Sequence, residues 1–101
     1  MGLLSFIFGY KKNQVKEYLE NGARILDVRS QEEWDRGHID NSIHIPLDDL
    51  INRIDDINHL EKPMIVCCQS GVRSAKAARF LNLHNISAIN GGGWVSLNKQ
   101  L

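Results

Sequence analysis

The stretch from Met64 to His84 constrains the fold of this 101-residue chain more than any other part of the sequence. Residues 64–67 form a continuous apolar run that predicts a buried strand, and a helix is predicted from Ser74 to about His84. Gly71 gives the short loop between them backbone freedom, and serine is a good residue for starting a helix. A strand, a tight loop and a helix in this order are typical of an α/β sheet.

Strands and helices alternate along the rest of the chain. A short helix is predicted at 13–21, and short strands are predicted at 24–28, 43–45 and 87–89. Two helices have a predicted buried face, which is formed by Leu47, Leu50, Ile51, Ile54 and Ile57 in one and by Ala75, Ala78 and Leu81 in the other. This alternation predicts a mostly parallel α/β sheet.

Local signals mark the beginnings of two further helical turns. Ser30 is predicted to begin one turn, with Glu33 at the position of a capping-box partner. Trp94 is predicted to begin a final turn directly after three glycines.

Composition limits the chain to one compact domain and gives no indication of nucleic-acid binding. The 43% hydrophobic content suffices for one core, so residues 1–101 are predicted to form a single domain. With 12 basic and 12 acidic residues, the net charge of the chain is zero, so it has no net positive charge that would attract nucleic acid. The apolar segment 1–10 is too short to cross a bilayer, so we expect no integral membrane span. An edge strand or a tail that covers the core is expected there, and a weak contact with a membrane or a partner stays open as the alternative.

The two cysteines are adjacent and are predicted to be free thiols. Cys67 and Cys68 cannot join distant parts of a fold, and unpaired thiols are typical of a reducing compartment, so we expect a cytoplasmic protein. Cys67, as a strand residue, is expected to pack in the core. The four histidines lack paired metal-ligand spacing on a helix face, so no metal site is predicted.

Cys68 is the candidate nucleophile because it ends a predicted strand at the mouth of a loop. In parallel sheets ligands bind at the carboxyl ends of strands. The backbone N–H groups of residues 69–73 can turn toward one anionic point, which would be a thiolate, a persulfide sulfur or a bound oxyanion. We therefore expect an ionised sulfur that is open to solvent.

Four segments in order resemble the motifs of the rhodanese family of sulfurtransferases, most closely its small single-domain members. Residues 68–74, C-Q-S-G-V-R-S, resemble the family's C-x-x-G-x-R active-site loop with its following serine. Residues 26–34 resemble its D-V-R-x-x-x-E-[FYW] segment, and residues 37–46 its G-H-I-x-x-[AS]-x-x-I-P segment. Residues 92–94 resemble its closing G-G motif.

The resemblance implies a rhodanese-like fold, with a mostly parallel sheet of four to five strands flanked by helices on both faces. It also implies a sulfurtransferase that needs no cofactor. Cys68 would take the sulfane sulfur of a small anionic donor such as thiosulfate, or of a persulfide, and pass it to cyanide or a thiol. A thioredoxin-like protein is among the candidate acceptors.

Each residue of the loop receives a role from this resemblance. Arg73 is expected to hold the anionic donor and to favour the ionised sulfur. The hydroxyl groups of Ser70 and Ser74 can add a hydrogen bond, although Ser74 can equally serve as a helix cap. The substrate-binding loop is completed by Gln69, Gly71 and Val72.

Three polar residues outside the loop are assigned structural support rather than catalysis. Asp27 and Arg29 follow a strand, where such a pair more often joins neighbouring loops through hydrogen bonds than takes part in a reaction. His38 lies in a motif that is typical of a loop-fixing element, and sulfur transfer to a thiolate needs little proton abstraction.

Two other functions stay open at the level of sequence. One is a rhodanese-like module that binds or regulates without catalysis, although Cys68 is retained. The other is a cysteine phosphatase or arsenate reductase, whose anion-binding loop has five residues between cysteine and arginine. Four residues separate Cys68 from Arg73 here, and this smaller ring suits a single sulfur better than a phosphoryl group.

Overall fold

A four-stranded, all-parallel sheet forms the centre of the computed structural model, which describes residues 13–101. In the order β2-β1-β3-β4, the strands are β1 (Arg24–Asp27), β2 (Ile43–His44), β3 (Met64–Cys68) and β4 (Ala88–Gly93). The predicted parallel α/β sheet is therefore confirmed, with the last strand running on through all three glycines. The apolar segment 1–10, expected to form an edge strand or a tail, lies outside the described residues.

Helical segments connect the strands. Residues 13–20 form α1, and the others are α2 (Gln31–Asp35), α3 (Ile54–His59), α4 (Val72–Leu83) and α5 (Trp94–Asn98), with a 3₁₀ segment at Leu47–Arg53 before α3. The predicted capping box is present at α2. Ser30 Oγ accepts the backbone N–H of Glu33 at 3.3 Å, and Glu33 Oε1 accepts that of Ser30 at 3.1 Å.

Helices cover both faces of the sheet, as expected. All five residues of β3 are buried, and their side chains alternate between the two faces. One face packs against α3 and α4, and its buried members include Met64, Val66, Cys68, Ile57 and Leu81. The other packs against α1 and α5, and its buried members include Ile65, Cys67, Val15 and Leu97. A strand buried on both faces stabilises the fold by roughly 1.5–3 kcal/mol for each large apolar side chain.

Two predictions about buried helix faces are wrong in detail. Ile51 is 64% exposed, because it lies in the 3₁₀ segment, where about three residues complete a turn and Leu47 and Leu50 take the inward positions. In α4, Ala75 is exposed while Ala77 and Ala78 are buried. The buried stripe of α4 begins instead at Ser74, a polar residue whose hydroxyl has hydrogen-bonding partners inside the protein.

An extra residue in β4 changes its register with β3. Val66 lies opposite Asn90, but Cys67 lies opposite Gly92, so Gly91 is left over as a bulge. Asn90 pairs with Val66 just before the bulge and lies on the α4 face of the sheet, where it contacts Ser74. The bulge also brings Gly93 beside the loop that follows Cys68, where an added Cβ would lie 2.7 Å from the carbonyl oxygen of Gln69.

Candidate active site

The loop after Cys68 turns sharply back over the end of β3. Gly71 has a φ of 99°, in the region that favours glycine, and directly precedes the first residue of α4, Val72. The prediction that Ser74 begins or caps this helix is wrong. Ser74 is the third residue of α4 and is buried, because its hydroxyl faces the sulfur of Cys68 and the side chain of Asn90 instead of the helix end.

Two backbone N–H donors and one hydroxyl group surround the sulfur of Cys68. The backbone N–H groups of Gly71 and Ser74 donate to Sγ at 3.0 and 3.4 Å, and the Ser74 hydroxyl lies 3.2 Å from it. Cys68 as a residue is only 1% exposed, so the expectation of a sulfur open to solvent is wrong. These groups lie in the loop and the first turn of α4, and they surround the sulfur so that it is buried beneath the loop.

The same groups decide the ionisation of Cys68. Burial alone raises the pKa of this thiol, because a charge is costly away from water. The Ser74 hydroxyl and the N–H groups of Ser74, Gly71 and Ser70 act in the opposite direction and outweigh burial, so the pKa of Cys68 lies below its ordinary value. The sulfur is thus buried and still favoured as a thiolate relative to an ordinary cysteine.

The guanidinium of Arg73 points to a carboxylate. Its Nη1 and Nη2 donate to the two carboxylate oxygens of Glu33 at 2.6 and 2.9 Å, which joins α4 to α2. This bidentate pair lowers the pKa of Glu33 to about 2 and raises that of Arg73. An anionic donor that binds Arg73 therefore has to share the guanidinium with Glu33.

Asp27 and Arg29 form a buried ion pair behind the loop. Arg29 Nη2 lies 2.8 Å from Asp27 Oδ2, and the two side chains are 2% and 0% exposed. The guanidinium also donates to the carbonyl oxygens of Glu33 and Gly37 at 3.3 and 2.7 Å, and it lies 4.6 Å from the centre of the Trp94 ring. These contacts join β1, α2 and the start of α5 behind the loop.

His38 is packed against an aromatic ring. It stacks on Trp34 at 3.6 Å between ring centroids, and its Nδ1 lies 2.9 Å from the Trp34 carbonyl oxygen. His44 stacks on the same indole at 4.6 Å, and its Nε2 lies 2.8 Å from the Arg29 carbonyl oxygen. Both imidazoles thus contact backbone carbonyls near the site, and no contact joins either of them to Cys68 within the described residues.

Asn90 is part of the site and was missed by the sequence analysis. Its Nδ2 donates to the Gly71 carbonyl oxygen at 3.0 Å, and its Oδ1 accepts from Gly92 N–H at 2.9 Å. The Ser74 hydroxyl lies 2.6 Å from the same Oδ1. The available signal was a polar residue between an apolar strand and a glycine run, at the sheet edge where Cys68 was expected.

Two clefts flank the loop, and a larger depression lies elsewhere on the described part of the chain. One of about 340 Å³ lies beside Gln69 and is lined by Arg29, Glu33, Arg36, Trp94 and Val95. A smaller one of about 150 Å³ is lined by residues that include Ser30, Asp48 and Arg73. A depression of about 420 Å³ is bordered by Pro63 and Ser87, at the opposite ends of β3 and β4 from the sulfur.

Residues 13–101 contain neither a membrane-spanning helix nor a group of metal-ligating side chains. No helix in this range is long and apolar enough to cross a membrane. In the same range, no group of three or more His, Cys, Asp and Glu side chains could hold a metal ion.

Known proteins share both the sequence and the fold. The model of the rhodanese-like domain matches residues 11–99. Thiosulfate sulfurtransferase GlpE of Pseudomonas aeruginosa is 30% identical over 82 residues, which cover 78% of this chain and 74% of that protein. The putative sulfur carrier protein YrkF of Bacillus subtilis is 40% identical over 60 residues, which cover 59% of this chain.

Lengths differ among these relatives. The matched residues span only 32% of YrkF and 52% of the uncharacterised protein YqhL of Bacillus subtilis, which is 37% identical over 67 residues. Among solved structures, a rhodanese-like domain protein from Staphylococcus aureus has a TM-score of 0.71 and 30% identity, and the match covers 86% of each chain. By its sequence from residue 11 to 99 and by its fold, this chain belongs to the rhodanese-like domain family.

Proposed function

We propose that this protein is a sulfurtransferase that moves a sulfane sulfur from thiosulfate or a persulfide donor to cyanide or a thiol. The observation that carries the proposal is the convergence of two backbone N–H groups and one hydroxyl on Cys68 Sγ. These groups stabilise negative charge at one atom, which is what a nucleophilic thiolate and a charged persulfide both need.

The reaction takes place in two displacements on sulfur. The Cys68 thiolate attacks the outer sulfur of thiosulfate, a new S–S bond forms, and sulfite leaves with the electron pair of the old S–S bond. The acceptor then attacks the outer sulfur of the Cys68 persulfide, and the thiolate is regenerated as the leaving group. With cyanide the product is thiocyanate, and with a thiolate it is a new persulfide.

Two of the relatives support this choice of chemistry. One is a thiosulfate sulfurtransferase and another a putative sulfur carrier. The cleft of about 340 Å³ beside Gln69 has room for a small donor, and Arg36 gives it an exposed cation that can attract an anion.

Arg73 argues against the rival phosphatase function. A cysteine phosphatase needs its loop arginine to bind the oxygens of the phosphoryl group. Here both terminal nitrogens of Arg73 are bound to Glu33.

Intact-protein mass spectrometry tests the proposal. Thiosulfate should add one sulfur atom, about 32 Da, to the wild-type protein, and cyanide should remove that mass and release thiocyanate. Cys67→Ser should still form the adduct, whereas Cys68→Ser, in which Cys67 is intact, should not. A wild-type protein with intact thiols that gains no sulfur from thiosulfate or from a low-molecular-weight persulfide would instead be a non-catalytic binding module.

A further inference from the structure

The hydrogen bonds of Asn90 fix the orientation of its side-chain amide. One end of the amide lies 3.0 Å from the Gly71 carbonyl oxygen, which can only accept, so this end is the NH₂ group. The other end lies 2.9 Å from Gly92 N–H, which can only donate, so this end is the oxygen. Exchanging the two ends would place like groups against each other at both contacts.

This orientation determines where the Ser74 hydroxyl proton lies. Ser74 Oγ is 2.6 Å from Asn90 Oδ1, which has no proton, so the hydroxyl donates its single proton to that oxygen. The same Oγ is 3.2 Å from Cys68 Sγ. With its proton already given to Asn90, Oγ can only accept from the sulfur, and this contact requires Cys68 to be a thiol.

The other two contacts of the sulfur favour the opposite state. The N–H groups of Gly71 and Ser74 donate to Sγ whatever its charge, and donors favour the thiolate. When the thiol loses its proton to water, the Ser74 hydroxyl can rotate about its Cβ–Oγ bond and donate to the sulfur. Asn90 Oδ1 then keeps only its bond from Gly92 N–H.

We propose that Asn90 is a positioning residue for Cys68, which holds the Ser74 hydroxyl proton while the sulfur is a thiol and gives it up when the sulfur ionises. Asn90 and the sulfur thus compete for one proton, and no proton is transferred to the amide itself. Asn90 opposes ionisation through Ser74 while it braces the loop through the Gly71 carbonyl. The inference rests on the proposed function only in taking Cys68 as the nucleophile.

A double-mutant cycle on the full chain separates these two effects. The pH profile of Cys68 alkylation by iodoacetamide is measured for wild type, Asn90→Ala, Ser74→Ala and the double variant, with the labelled cysteine located by peptide mass spectrometry. Asn90→Ala should free the Ser74 hydroxyl for the thiolate, but loosening of the loop acts in either background. The comparison between backgrounds therefore isolates the hydroxyl.

The expected result is a difference between the two backgrounds. The effect of Asn90→Ala on the acid dissociation constant of Cys68 should be roughly two- to tenfold more favourable to ionisation with Ser74 present than in the Ser74→Ala background. Equal effects in the two backgrounds would overturn the proposal, because Asn90 would then act only on the loop. A purely structural role predicts such equality.

A measurement on the wild-type protein keeps the test decisive if a variant fails to fold. The side-chain carboxamide carbon of Asn90 is followed by NMR while Cys68 is titrated. Its chemical shift should change with the same midpoint as thiolate formation, because Oδ1 loses a hydrogen bond there. An Asn90 signal that stays constant through that midpoint would contradict the inference.

Both experiments measure the ionisation of Cys68 and do not require the protein to transfer sulfur. A protein that forms the Cys68 persulfide but shows equal backgrounds would refute the role of Asn90 and leave the sulfurtransferase proposal standing. A protein that shows the expected difference but takes up no sulfur would do the reverse.

Discussion

Cys67 and Cys68 are adjacent in sequence and lie in opposite chemical environments. Cys67 faces the α1 and α5 side of the sheet, among Ile65 and Leu97, and burial raises its pKa to about 12, with the charge of Asp27 adding to the effect. Cys68 faces the α4 side, and hydrogen bonds from Ser74 and the loop lower its pKa although it too is buried. Two thiols that are both almost inaccessible to solvent therefore have pKa values shifted in opposite directions, because only Cys68 has hydrogen-bond donors around its sulfur.

The comparison shows that the pKa of a thiol depends on its position along the strand as well as on the face of the sheet where it lies. Backbone N–H groups inside a sheet are used by the neighbouring strands, as Val28 N–H is by the Cys67 carbonyl oxygen. At the carboxyl end of β3 the chain leaves the sheet, and the N–H groups of the loop become available for the sulfur. One residue separates the two conditions.

Replacing each cysteine by alanine should give the largest contrast. Cys68→Ala should lower thiosulfate-to-cyanide sulfur transfer by at least about a thousandfold, because the nucleophile is lost. Cys67→Ala should keep the rate within about twofold and lower the free energy of unfolding by about 1 kcal/mol, since it leaves a small cavity. Steady-state assays and urea unfolding measure both. Equal losses of activity would mean that the two thiols act together.

Removing the charge of Asp27 tests what lies on the Cys67 side of the sheet. Asp27→Asn leaves Arg29 buried without a counter-charge and should lower the free energy of unfolding by about 3–5 kcal/mol. The matched control is Asp56→Asn, which breaks the exposed pair with Arg53 and should cost less than about 1 kcal/mol. Chemical unfolding of both variants measures the difference.

The same substitution should also change the chemistry of Cys67. Its pKa should fall, because the carboxylate that raises it is gone while the positive charge of Arg29 remains. Similar stability losses for Asp27→Asn and Asp56→Asn would show that the buried pair contributes no more than an exposed one.

Alkylation should distinguish the two thiols directly. At pH 8 iodoacetamide should modify Cys68 at least about a hundredfold faster than Cys67, because the thiolate is the reactive form and Cys67 ionises only near pH 12. Peptide mass spectrometry over time gives both rates. Comparable labelling rates of the two residues in the folded protein would contradict the difference in pKa between Cys67 and Cys68.

The pair between Glu33 and Arg73 should give the smallest effect, and one that depends on pH. The folded state lowers the pKa of Glu33 from 4.5 to about 2, so its stabilisation is present above pH 4.5 and is lost as the pH falls toward 2. Since both side chains are partly exposed, we expect about 1 kcal/mol. Unfolding of wild type and Glu33→Gln should differ at pH 7 and converge near pH 2. A difference that persists at pH 2 would contradict this assignment.

Glu33→Gln also sharpens the comparison of the cysteines. Without the carboxylate, the charge of Arg73 is no longer neutralised and should lower the pKa of Cys68, which is close in the chain. Cys67 should be unaffected. The pH profile of alkylation at each residue checks this expectation.

Local signals predicted the elements that depend on neighbouring residues. The capping box of Ser30 and Glu33 needs only a spacing of three residues, and the strand at 64–67 needs only a continuous apolar run, so both were found. The parallel sheet followed from the alternation of strands and helices. Cys67 was placed in the core because a central strand is covered on both faces.

The missed features depend on contacts between distant parts of the chain. The pairing of Arg73 with Glu33 joins residues 40 apart, and the bond between Ser74 and Asn90 joins residues 16 apart. Serine near a predicted helix start suggested a cap, but the tertiary contact gave it a buried position instead. The sequence motif predicted an exposed sulfur, but it does not show that the loop folds over the sulfur and covers it.

The bulge at Gly91 makes the length of this segment a constraint in its own right. Deleting Gly91 would leave Gly92 opposite Cys67 and Gly93 opposite Cys68 in a regular ladder, but Gly92 would then follow Asn90 directly in the chain. The hydrogen bond from Gly92 N–H to Asn90 Oδ1, which joins residues two apart, would then be lost, and with it one of the contacts that orient the Asn90 amide. Point substitutions at neighbouring exposed positions should therefore be better tolerated than any deletion or insertion between Ile89 and Gly93.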